Sequence, residues 1–260
     1  MSTYIYDGNV YQTRSPLNGL EGYIAATAVS GAILSPLAYI GKLPVRQIKK
    51  EEQYNPIYKD CLYKALHKSG LYDMGVDIIK AQNADISHEY KSGRNAAYLI
   101  PDKKVIINTN KSACLGFHEL GHAMNNLMSK YGIKYLTKMR YPGYVIAGIM
   151  EYFAIFSRTK PKEAQRNIMD IIEDNCGKIA FLAMMPMVAE EAIASIRGMK
   201  LAEEAGLPKE LRQNMKKLLS KALMTYGGKA VLGGLAVYAS RKIMDYFTRP
   251  KNIGNFDLFS

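Results

Sequence analysis

Residues 22–41 (GYIAATAVSGAILSPLAYIG) carry no charge. No other stretch restricts the fold as strongly. A helix rising 1.5 Å per residue crosses a hydrocarbon core with about 20 residues, so this run is long enough to span a bilayer. Its Ala, Gly, Ser and Thr favour close contact between membrane helices, and Pro36 kinks or ends the helix. A cleaved signal peptide has a basic segment ahead of its apolar core. Here Arg14 is the only Lys or Arg before residue 22. Lys42, Arg46, Lys49 and Lys50 come after the run. By the positive-inside rule they place the downstream chain in the cytoplasm. A buried helix of a soluble protein is the competing reading of the same run.

Three further apolar stretches lie downstream. Tyr141 to Phe156 contains only Glu151 as a charge, Ile179 to Ala189 contains none, and Ala222 to Ser240 contains only Lys229. A charge inside a span must face protein or water. These stretches are therefore either membrane-embedded hairpins or core helices. The formal net charge is +12. Its lysines are dispersed, with no basic block interleaved with aromatics. The surplus thus argues for membrane lipid as a partner and against nucleic acid. Cys61, Cys114 and Cys176 are odd in number and widely spaced, which excludes a disulfide framework and a Cys-x-x-Cys metal site.

Residues 1–21 form a polar, irregular leader, and residues 42–95 are charged and mostly helical in pattern. Ala97 to Ile100, the turn pair Pro101-Asp102 and Lys104 to Asn108 then read as strand, turn, strand. A helix comes immediately after. Ala113, Phe117, Leu120, Met124 and Leu127 recur at helical spacing and mark its buried face. Asn110 or Ser112 caps it. The rest of the chain is rich in helix, so the fold class is mainly α with a small β-sheet.

That helix carries His118-Glu119-Leu120-Gly121-His122. Histidines four residues apart project from one side of a helix, and both imidazoles can reach one Zn2+ at about 2.0–2.1 Å. Glu119 stands beside the first histidine. It is placed to accept a proton from a water that the metal has acidified to a pKa near 7. Gly121 costs about 1 kcal/mol relative to Ala inside a helix. Close approach of another backbone beside the metal would account for it. A catalytic site needs a third protein ligand. His67 and His88 lie in charged segments and read as surface residues. Glu190 and Glu191, at the end of an apolar run, are better candidates.

The order of a strand pair, HELGHA, hydrophobic helices and a late Glu-x-x-Ala helix resembles the HtpX-type and CAAX-prenyl-protease-type integral-membrane zinc peptidases. The segment Asn95-Ala96-Ala97-Tyr98 with Pro101, then Val105-Ile106-Ile107, is similar to the family's segment before the catalytic helix. Glu191-Ala192-Ile193-Ala194-Ser195 is similar to its Glu-x-x-Ala-Asp helix. The likeness covers about residues 90 to 210.

The resemblance implies a zincin-like domain over residues 42–260, with the membrane helix at 22–41 and further hydrophobic helical insertions. It implies one Zn2+ per chain held by His118, His122 and Glu191, with Glu119 as general base. Glu191 is preferred over Glu190 because it alone puts Ala194 in register. Ser195 stands where the family has Asp, and no His comes after His122 to stabilise an oxyanion. Arg197 is the candidate for that role, with Tyr226 and Tyr238 as alternatives. The strand at Val105, Ile106 and Ile107 would offer an exposed edge to an extended substrate; an ordinary edge blunted by Lys103 and Lys104 is the plainer reading. The expected activity is a membrane-associated zinc metalloendopeptidase acting on protein or peptide substrates, its domain facing the cytoplasm. The alternative is a non-catalytic membrane protein with a structural or regulatory zinc site.

Overall fold

The computed structural model describes residues 3–6, 9–12, 18–83, 87–156, 166–249 and 251–255. It is mainly helical. In chain order come strands β1 (Thr3–Tyr6) and β2 (Asn9–Gln12), then helices α1 (Asn18–Leu34), α2 (Pro36–Ile40), α3 (Lys42–Glu51) and α4 (Asn55–Lys68). Next are β3 (Asp77–Lys80), the short α5 (His88–Lys91), β4 (Ala97–Leu99) and β5 (Lys104–Ile107). After them come α6 (Ala113–Leu127), α7 (Tyr131–Phe156), α8 (Ile168–Asp174), α9 (Cys176–Glu204), α10 (Lys209–Thr248) and β6 (Lys251–Asn255).

Packing does not divide the chain at residue 41. Residues 1–36, 141–185 and 228–260 form one compact unit, and residues 37–140 and 186–227 form the other. Helices α7, α9 and α10 each contribute residues to both units.

The second unit holds the larger core. Tyr58, Leu62 and Leu66 of α4 pack with Phe117 and Leu120 of α6 and with Leu211, Met215 and Leu218 of α10. Ala113, Phe117 and Leu120 are fully buried, and Met124 and Leu127 pack against the core in part, as the spacing requires. Ser112 precedes α6, but its side chain makes no capping bond. The Ala113 N–H is instead taken by Asn55 Oδ1 at 2.8 Å, a cap supplied by α4. All three cysteines are free and buried.

The sheet order in this unit is β3-β5-β4, with β3 parallel and β4 antiparallel to β5. This corrects the expectation of an exposed edge at Lys104 to Asn108. Val105, Ile106 and Ile107 belong to a central strand and are buried; Val105 and Ile106 are paired on both sides, and Ile107 is paired with β3. The cause is β3, which lies within a stretch whose charge and spacing read as helix. The sheet edge left without a strand partner next to α6 is that of β4, among the described residues. Tyr98 on β4 accepts a bond from Asn126 of α6 at 3.4 Å.

In the first unit α1, the later part of α7, the start of α9 and the end of α10 pack together. Met150, Ala154, Cys176, Ala180 and Val237 form its small core. A Cβ on Gly177 would lie 2.7 Å from the Gly234 carbonyl oxygen, so α9 and α10 touch through backbone. Ser30 Oγ and Ser240 Oγ lie 2.7 Å apart, and both lie within hydrogen-bond distance of Glu151 Oε1, at 3.3 and 3.2 Å. The lone charge of the Tyr141–Phe156 stretch thus faces hydroxyls of two other helices. Around this interior the surface is apolar: Ile24, Tyr141, Tyr152, Phe156 and Leu182 are all exposed. Residues 3–6, 9–12 and 251–255 form a second, antiparallel sheet of order β1-β2-β6, in place of the irregular leader expected at the N-terminus.

Two helical stretches are long and apolar enough to cross a membrane, Leu20–Lys68 and Cys176–Glu204. Only 11% and 33% of their apolar windows are buried, whereas the core helix of a soluble protein hides most of its apolar surface.

Candidate metal centre

His118 and His122 project from one side of α6, one turn apart, and both are buried. Facing them is α9. The two helices meet through backbone: a Cβ on Gly121 would stand 2.1 Å from the Ala194 carbonyl oxygen, and one on Gly198 would stand 2.5 Å from that of Phe117. Gly121 therefore has the close backbone approach that its helical cost demanded. This crossing brings Glu190 and Glu191, one turn before Ala194, onto the histidines.

His118 Nε2, His122 Nε2 and Glu191 Oε2 form a triangle. Its sides are 3.0 Å between the nitrogens, 3.1 Å from His118 to Glu191, and 3.7 Å from His122 to Glu191. A tetrahedral ion with bonds of about 2.0–2.1 Å holds its donor atoms about 3.3–3.4 Å apart. The three edges bracket that spacing. A Glu119 carboxylate oxygen lies within 4.8 Å of a ring nitrogen of each histidine, so His118, Glu119 and His122 also form a possible ligand group.

The remaining atoms of these side chains are also engaged. His122 Nδ1 meets Glu190 Oε1 at 2.8 Å, and Asn125 Nδ2 donates to the same oxygen at 2.9 Å. Ser195 Oγ lies 3.2 Å from His118 Nδ1. Arg140 donates to Glu191 Oε1 at 2.6 Å and to Glu190 Oε2 at 3.3 Å. Glu191 thus spends one oxygen on the guanidinium and turns the other to the histidines. Partners of this kind fix ring orientation and tautomer in metal sites. His122, Glu190 and Glu191 form an alternative cluster of possible ligands. It leaves out His118, and Glu190 within it already holds His122 Nδ1. The Nε2 triangle is the better cradle.

Charge supports the same conclusion. Glu119, Glu190 and Glu191 are all buried and face one guanidinium. Formally this leaves two negative charges in excess, the charge of one divalent cation. Buried charges need such compensation. Without a metal, a proton supplies part of it. Burial opposes the His122 imidazolium, but bonds to Glu190 and Glu191 and the nearby Glu119 outweigh it and push the pKa up to about 10. Burial likewise opposes the charge on Arg140, and the carboxylates of Glu191 and Glu190 more than offset it, raising its pKa. Buried histidine and glutamate side chains here could hold a metal ion, and their nitrogen and oxygen donors suit zinc.

The structure brings His118, Glu119, His122 and Glu191 together. Arg197 is engaged differently, donating to Ser129 Oγ at 2.5 Å. His67 and His88 are exposed, as read from sequence. The sequence reading missed Glu190 as the partner of His122, Ser195 as the partner of His118, Asn125, and above all Arg140. Only Asn125 left a signal, being a polar residue on the site-bearing helix. Compared with protein-family models, curated proteins and solved structures, the chain gives no match.

Proposed function

We propose that the protein is a membrane-associated zinc metalloendopeptidase of the integral-membrane zincin type. His118, His122 and Glu191 are its metal ligands and Glu119 its general base. The observation that carries the reading is the triangle of His118 Nε2, His122 Nε2 and Glu191 Oε2, with a Glu119 carboxylate oxygen within 4.8 Å of both histidines.

A zinc ion bound there supplies Lewis-acid polarisation of a carbonyl and acidifies a water. The chain's own groups do the rest. The Glu119 carboxylate is the group that would accept a proton from a water at the site and pass it to the leaving amine. Glu190, through His122 Nδ1, and Ser195, through His118 Nδ1, hold the two rings in the orientation that presents Nε2. Arg140 engages Glu191 Oε1, leaves Oε2 toward the histidines and offsets the buried negative charge. An extended substrate finds a free strand edge at β4 rather than β5. The helices of the first unit, apolar outside and polar at Ser30, Glu151 and Ser240, suit a bilayer. The basic residues after residue 41 put the metal-site unit on the cytoplasmic side.

A regulatory or structural zinc site is the second reading. The low exposure of His118, His122 and Glu191 (8%, 8% and 2%) favours it, because a catalytic ion must meet a substrate. Zinc content and peptide cleavage measured on Glu119→Gln protein separate the two. The peptidase reading expects full zinc and loss of cleavage. Cleavage at the parent rate would overturn it.

A further inference from the structure

A cleft of about 430 Å³ opens in the second unit, and its lining shares no residue with the His–Glu cluster. That volume lies in the range of small-molecule sites. Val45 and Ile48 of α3 are its apolar lining. Lys49, Lys91, Arg94 and Lys111 bring four positive charges to it, with Glu52 as the one acid and His88 as a further titratable group. Among the described residues Lys49, Arg94 and Lys111 make no ion pair, although the protein has 23 acidic residues with which to pair them.

The cations are held together by the backbone. Gly93 has a φ of +76°, and a Cβ there would come within 2.8 Å of Lys111 Cβ. Only glycine allows that approach and that conformation. It seats the loop carrying Arg94 against the loop carrying Lys111. Asn108 Nδ2 donates to the Lys91 carbonyl at 2.5 Å, a second tie between the same two loops. Like charges brought together by such bracing repel unless an anion joins them. A concave wall of one sign also concentrates counter-ions. Arg offers a planar fork and Lys point charges, a combination that suits phosphate oxygens.

We propose that this cleft binds a phosphate group, carried either by a lipid headgroup or by a soluble phosphorylated molecule. The proposal is independent of the zinc peptidase reading, since none of its residues touches the His–Glu cluster.

The test uses the full chain in detergent with two probes, inorganic phosphate and short-chain phosphatidylglycerol, each titrated by calorimetry. Saturable binding of either supports the proposal. Phosphatidylglycerol alone identifies a headgroup site, and phosphate binding at equal strength identifies a soluble ligand. The double variant Arg94→Glu/Lys111→Glu is expected to weaken binding at least tenfold while zinc content stays at the parent value. Arg94→Gln/Lys111→Gln is the milder form, with a smaller loss, and serves if the reversal fails to fold. Glu52→Gln removes the one acid among the described lining residues and is expected to tighten binding about threefold. Lys200→Glu, an exposed residue outside the cleft, should leave it unchanged. No saturable binding of either probe, or binding that ignores both the Arg94/Lys111 and the Glu52 changes, overturns the proposal.

Discussion

Replacing Gly121 by alanine tests how the metal site is built. By helix propensity alone the change should stabilise α6 by about 1 kcal/mol. The contact with α9 reverses this. The new Cβ would lie 2.1 Å from the Ala194 carbonyl oxygen, a backbone atom that no side-chain rotation can move. Ordinary contact begins at 3.4 Å, so the helices must part by about 1 Å, an overpacking that costs about 1–3 kcal/mol. The histidines ride on one helix and Glu191 on the other. Metal ligation tolerates about 0.2 Å in bond length, so a shift of that size takes Glu191 out of reach. Zinc affinity, measured by competition with a calibrated chelator, is expected to fall at least about 100-fold. Gly132→Ala on α7 is the control, because nothing lies within 4 Å of its Cβ position. Parent zinc affinity in Gly121→Ala would refute the argument that this crossing assembles the site.

Other consequences are open to measurement. With His122 raised to about 10 in the metal-free protein, zinc uptake at pH 7.5 should release about one proton. Calorimetry in buffers of different ionisation enthalpy reads that number, and zero release would contradict the assignment. The same shift makes the His122 contribution to metal-free stability complete below its unfolded pKa near 6.5. It is then lost as the pH rises through about 10. Thermal melts of metal-free protein should fall across that window, and His122→Ala should flatten the fall. Arg140→Met leaves Glu190 and Glu191 with only the His122 imidazolium as counter-charge. Melting of the metal-free form should show a loss of about 3 kcal/mol or more, with bound zinc recovering part of it. Ser30→Ala with Ser240→Ala strips the hydroxyls from Glu151 and should cost about 1–3 kcal/mol in detergent unfolding.

Several of these features are legible in the sequence alone. The His118–His122 spacing, the buried face of α6 and the tension at Gly121 come from helix geometry. The residues leave Glu190 and Glu191 both open, and only the family resemblance, through Ala194, prefers Glu191. What stays hidden is what helices and strands do to one another. Arg140 carries no mark of its own, since its partners are Glu190 and Glu191 on another helix. Glu190 and Ser195 are ordinary neighbours of Glu191 until the α6–α9 crossing aims them at ring nitrogens. β3 is only four residues long and pairs in parallel with a strand well downstream. Without it the central β5 reads as an edge. Glu151 is visible as a lone charge in an apolar run, but the hydroxyls that receive it come from α1 and α10.

The central claim is that His118, His122 and Glu191 hold one zinc ion beside Glu119. X-ray absorption at the zinc edge tests it most directly, on purified full-length protein and on Glu191→Gln, Glu190→Gln and His118→Ala variants. The parent is expected to hold one zinc per chain with two imidazole ligands and further oxygen. Expected are one imidazole and weakened binding in His118→Ala, an altered oxygen shell in Glu191→Gln, and an unchanged ligand set in Glu190→Gln. Loss of an oxygen ligand in Glu190→Gln with none in Glu191→Gln, or a parent protein that binds no zinc, would contradict it.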